Sequence, residues 1–205
     1  MKKFLCLLLA LSLSLTLFAC TNKKALAVDE QINALGEITL ESGDAIAAAE
    51  AALSALNGKD RAAVTGISVL EAARVKYDEL KTIEEADKIE VMIHDLRPIT
   101  MNSAEALTTT EQIYNDADIN VKLKVENFND LVSAFQLYRF MRIDQVEVKI
   151  NAIGTVTKDS GDAIKAAQEA MDSIPEEDRS WVYNAYTLIE ATKAFEQLQN
   201  GTAAE

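Results

Sequence analysis

Two stretches decide the reading of this chain: "INALGEITLESGDAIAAA", which begins at Ile32, and "INAIGTVTKDSGDAIKAA", which begins at Ile150. They are two windows on a longer internal match, from Val28 to Leu80 against Val146 to Leu198, ungapped and with about 20 identities in 53 positions. A repeat of this period is sought before any other reading, because it makes one structural unit do duty several times. A third, more diverged copy, Ile89 to Met141, falls into register when Ile93 is placed under Ile32 and Ile150.

The register is carried by apolar columns. Val28, Ile89 and Val146 form one, and Ile32, Ile93 and Ile150 the next; Leu35, Leu96 and Ile153 follow, then Ile38, Ile99 and Val156. Further along come Ile46, Leu107 and Ile164, and Leu53, Tyr114 and Met171. The last third adds Val64, Val125 and Val182; Leu70, Leu131 and Leu188; Ala73, Ala134 and Ala191; Tyr77, Tyr138 and Phe195; and Leu80, Met141 and Leu198. Spacings of three and four within each copy mark amphipathic helices, and no segment alternates as a half-buried strand does.

The expected fold is therefore all-α: three tandem three-helix bundle repeats, residues 28–80, 89–141 and 146–198. The first helix of a copy stops at Gly36, Arg97 or Gly154, a place where glycine takes the left-handed geometry of a helix end. The second starts at Ser42, Ser103 or Ser160, with serine as cap and Asp44, Glu105 or Asp162 at the positive end. The third follows the turn-rich "NGKD", "NDADIN" or "PEED". Pro98 and Pro175 both fall in predicted turns. The spacers "KTIEEADK" and "RIDQ" lack glycine and proline and differ by four residues, close to one helical turn, so continuous helices are expected to join the copies at similar angles. The result is an elongated rod, roughly 100 Å long if each joining helix spans about 30 residues.

The amino end adds an address. "MKKFLCLLLALSLSLTLFAC" has a basic start and an apolar run from Phe4 to Phe18, the pattern of an export signal and shorter than a spanning helix of about 20 residues. "LFAC" resembles the lipobox of bacterial lipoproteins, which implies cleavage after a signal of residues 1–19 and diacylglyceryl modification and acylation of Cys20, the palmitate-type anchor of that family. Residues 20–27, with "TNKKALA", then form a short tether, and Lys23 and Lys24 can meet anionic headgroups. Such an anchor holds the protein at the outer face of the bacterial cytoplasmic membrane. Residues 199–205 read as a disordered tail. The repeat pattern "INAIGTVT…SGDAI…AA…DR…V…L…A…F" resembles the tandem three-helix modules of Gram-positive cell-surface proteins, which implies a spacer, stalk or protein-binding unit.

Composition narrows the chemistry. The chain has 20 basic and 33 acidic residues, a net −13. Starting from Cys20 it would have 18 and 33, or −15. That balance disfavours nucleic acid as a partner. Cys6 lies in the signal, leaving Cys20 the one remaining thiol, so no disulfide or thiolate metal site is expected. One histidine, His94, sits near a helix end and offers no base to the recurring Thr39, Thr100, Thr157, Ser42, Ser103 or Ser160 hydroxyls. No calcium loop, zinc pair or phosphate-binding glycine loop occurs, and no catalytic residue, metal or cofactor is assigned. The "DR" pairs at Asp60, Arg61 and Asp178, Arg179 read as a capping aspartate beside a solvated arginine, and Gly36, Gly43, Gly154 and Gly161 as turn and cap residues.

The copies disagree most in "SWVYNAYT". Trp181, Tyr183 and Tyr186 stand where the first copy has Ala63, Thr65 and Ser68, and the middle copy Lys124, Glu126 and Asn129. Two readings compete: Trp181 and Tyr186 widen the core of the last copy, or all three form a partner contact, since tryptophan and tyrosine dominate interface hot spots. The functional expectation is a non-enzymatic, membrane-anchored surface lipoprotein acting as a helical spacer or scaffold. The alternative is a protein-binding adhesin or complex subunit using that aromatic face. An enzyme or small-ligand carrier comes last, because the aliphatic columns leave no room for a deep polar pocket.

Overall fold

The computed structural model describes residues 23–201. The segment expected to be a signal, Cys20 as the expected lipid acceptor, the start of the expected tether and residues 202–205 lie outside the described residues. Every regular element among the described residues is helical. In chain order the α-helices are α1 (Lys23–Asn33), α2 (Gly43–Ser54), α3 (Gly58–Arg61), α4 (Ile67–Asp95), α5 (Ala104–Asp116), α6 (Ile119–Lys122), α7 (Phe128–Asn151), α8 (Gly161–Ser173), α9 (Glu176–Arg179) and α10 (Ala185–Gln199). The chain divides into two compact units, Met1–Ala86 and Asp87–Glu205.

In the first unit, α1 buries Ala25, Val28 and Ile32, a three-then-four spacing that turns one face inward. It meets Ile46, Ala49 and Leu53 of α2, with Val64, Leu70 and Ala73 completing the cluster. Burying each large aliphatic side chain stabilises the unit by about 1.5–3 kcal/mol. α1 begins at Lys23, not at Val28, so most of the expected tether, residues 23–27, is helix and Ala25 is core at 1% exposure. Ala25, Ala86 and Ile143, all buried, are a further column at the same period.

The second unit repeats the scheme twice. Ile89, Ile93, Leu96, Leu107, Leu131 and Ala134 are buried at the middle copy's positions. Ile143, Val146, Ile150, Ile164, Ala167, Leu188 and Ala191 form the core at the last copy's positions. α7 runs unbroken from Phe128 to Asn151 and serves both sets of columns. α4 is likewise continuous over 29 residues, Ile67–Asp95. Arg139 pairs with Asp178 at 2.6 Å, and the Arg142 guanidinium donates to the Ser173 carbonyl, so α7 is held to the end of α8 and to α9 within this unit.

Several helix ends differ from expectation. Gly36 and Gly154 do have left-handed backbones, φ 60° and 59°. The serines, however, do not cap their helices through the side chain. Each hydroxyl accepts a hydrogen bond from the threonine amide three residues back: Thr39 to Ser42 at 3.0 Å, Thr100 to Ser103 at 2.9 Å and Thr157 to Ser160 at 2.9 Å. The threonine hydroxyls accept in return from Glu41, Asn102 and Asp159 amides. The Thr–Ser pair is a reciprocal box that closes the turn before the helix. The segments expected as plain turns each contain a one-turn helix, α3, α6 and α9.

The "DR" aspartates are not caps either. Asn57 caps α3, its Oδ1 accepting from the Lys59 and Asp60 amides at 3.0 Å each. Asp178 is buried because it answers Arg139.

Candidate functional site

Recurring polar residues are candidates for a site, and in this fold they are occupied structurally. The clearest set is a column of acids on the first helix of each copy. Asp29 accepts from the Thr65 and Gly66 amides at 3.0 and 2.8 Å. Glu90 accepts from the Glu126 amide at 2.6 Å, and Glu147 from the Tyr183 amide at 3.0 Å. Those amides stand just before α4, α7 and α10, where helix starts leave donors unpaired and favour negative charge. Asn127 and Asn184 add side-chain donations to the Glu90 and Glu147 carbonyls, at 2.9 and 3.0 Å. His94 is exposed on the last turn of α4.

The three aromatic residues behave differently from the core reading: Trp181, Tyr183 and Tyr186 are 57%, 75% and 69% exposed. Trp181 and Tyr186 therefore do not widen the core; Val182 between Trp181 and Tyr183 does, at 4%. Trp181 lies against α7. Its ring sits 5.1 Å from the Arg139 guanidinium carbon and meets Phe140 edge-on, 6.4 Å between centroids. Both contacts are favourable geometries for an aromatic ring. Tyr183 lies two turns further along α7, its hydroxyl accepting from Asn151 Nδ2 at 3.4 Å and its amide reaching Glu147. The hydrogen bond and charge of Lys193 hold the Glu190 carboxyl below its usual range, with a smaller contribution from Tyr186 on the first turn of α10.

Phe140, half exposed, is the member of this face that the repeat comparison passed over. Its column holds Glu79 and Gln197 in the other copies, so the same disagreement between copies marks it.

A second feature also includes Arg139. A groove of about 650 Å³ runs between α5, α7 and α9, with Leu107, Val132, Phe135 and Tyr138 among its lining. Glu111, Arg139, Arg142, Glu177 and Asp178 are its charged groups. A smaller hollow of the first unit, about 390 Å³, is lined by Glu50 and Arg74. There the Arg74 guanidinium bonds both Glu50 oxygens at 2.8 Å and lies 5.5 Å from the Tyr77 ring centroid. Arg74 holds the Glu50 carboxyl below its usual pKa, against a smaller opposing effect of burial.

Among the described residues no three His, Cys, Asp or Glu side chains converge as a metal site, and no helix is long and apolar enough to cross a membrane. No protein-family model, curated protein or solved structure matches the chain.

Proposed function

We propose that this chain is a non-enzymatic surface lipoprotein, anchored at Cys20 to the outer face of a bacterial membrane, whose three helical repeats form an elongated spacer or scaffold. The observation that carries the reading is the fate of the recurring polar groups. Thr39 and Ser42, Asp29 and their counterparts are engaged with backbone amides, so what the copies share is what each needs to fold. The amino-terminal "LFAC" supplies the anchor in this reading, and the thioether-linked diacylglycerol plus a further acyl chain gives lasting membrane attachment.

A second reading, a protein-binding subunit, is favoured by the solvent-facing Trp181, Phe140, Tyr183 and Tyr186. An exposed aromatic cluster of this kind suits a partner contact.

The anchor is tested by radiolabelled palmitate and detergent phase partition in a bacterial host. The parent chain takes up label and enters the detergent phase; Cys20→Ala should lose both. Label retained by the variant would overturn the anchor. Small-angle scattering tests the spacer: a radius of gyration equal to that of a sphere of this mass would end it.

A further inference from the structure

At the groove in the second unit the middle copy departs from a side-chain pairing that the other two copies make. In the first copy, Glu50 of α2 receives both guanidinium bonds of Arg74 from α4. In the last copy the corresponding pair is Gln168 and Thr192, joined at 3.2 Å. In the middle copy the pair is Glu111 and Phe135. The acid is kept and its arginine is replaced by a ring, and Glu111 has no hydrogen-bond or ion-pair partner among the described residues.

Two neighbouring columns change with it. Gly43 and Gly161 lie under the Tyr77 and Phe195 rings, where a Cβ would come within 2.7 and 3.0 Å of a ring carbon. The middle copy has Ala104 there, and Ala104 and Tyr138 both line the groove. Asp78, which pairs with Arg74 at 3.7 Å, becomes Arg139.

We propose that this groove receives an arginine side chain from a protein partner, its guanidinium taking on Glu111 the place that Arg74 takes on Glu50. Glu111 supplies the paired acceptor, Phe135 an aromatic face beside it, and Leu107 and Val132 an apolar floor for a second, aliphatic side chain one turn away. The groove's own cations do not compete for that end. Arg139 and Arg142 lie one and two turns further along α7, roughly 6 and 10 Å from Phe135. Arg139 is neutralised by Asp178, and Arg142 donates to the Ser173 carbonyl. Glu177 adds a second carboxylate to the lining. Arginine fits better than lysine because a planar fork matches a carboxylate bidentately and stacks on a ring.

The test is a titration of the 15N-labelled chain with a capped alanine-rich peptide carrying one arginine and a leucine four residues on. A matched peptide carries citrulline, which keeps the shape and removes the charge. Saturable shifts should cluster on Leu107, Glu111, Val132, Phe135 and Gln136, with the citrulline peptide about two- to fivefold weaker. Glu111→Gln should weaken the arginine peptide to the citrulline level. Phe135→Arg, which supplies the missing guanidinium internally, should abolish binding while circular dichroism stays that of the parent. Equal binding of the two peptides, shifts spread over the acidic surface instead of the groove, or full binding by Phe135→Arg would each overturn the proposal. None of these results bears on the Cys20 anchor.

Discussion

At the scale of single residues, the glycines show where sequence reasoning reaches its limit. Gly36 and Gly154 were legible, because a left-handed helix end calls for glycine in a way the local pattern reveals. Gly43 and Gly161 were misread as turn and cap residues. Both are the first residues of helices, and their lack of a side chain makes room for a ring from the third helix of the same copy. That reason is invisible locally, since Tyr77 lies 34 positions from Gly43. Gly43→Ala should destabilise the first unit by about 1–3 kcal/mol, the usual cost of forcing extra volume into a packed site. Urea denaturation followed by circular dichroism measures it; a stabilised variant, as the better helix propensity of alanine alone would give, would refute the packing account.

Elements are joined by contacts that the apolar periodicity did not announce. The helices and their inner faces could be read from spacing, because burial acts on every turn and leaves a period. The acids of the Asp29 column are not marked by that apolar period. Their partners are backbone amides 36 residues away, and an amide has no signature in the sequence. The Glu50–Arg74 pair, which ties α2 to α4, gives this scale its measurable consequence. The folded carboxyl titrates below its ordinary 4.5, so its contribution is complete above that value and disappears as the pH falls through the lower folded one. Half-exposed, the pair contributes about 0.2–1 kcal/mol at neutral pH. Glu50→Gln should therefore lower the unfolding free energy by that amount at neutral pH and match the parent in strong acid. A gap that persists in acid would assign the loss to packing.

At the scale of the whole molecule, the sequence has three copies and the structure two units. Copies two and three share α7 and are further linked by Arg139 with Asp178, contacts with residue types peculiar to that pair of copies. Charge is unevenly divided as well. Residues 87–205 hold 11 basic and 21 acidic side chains, a net −10 of the chain's −13. Ile46→Ala, a fully buried position of the first unit, should cost about 2–5 kcal/mol. Hydrogen exchange should then quicken in α1 and α2 while the slowest amides of α8 and α10 keep their rates. Equal acceleration in α8 would mean that the chain unfolds as one. The position of Trp181 bears on how any such experiment is followed. It is the chain's one tryptophan, it faces solvent, and an arginine lies against its ring. Its emission is an optical probe of the edge of the second unit, so if the two units unfold separately, a denaturation curve recorded in that channel alone passes over the melting of α1 and α2.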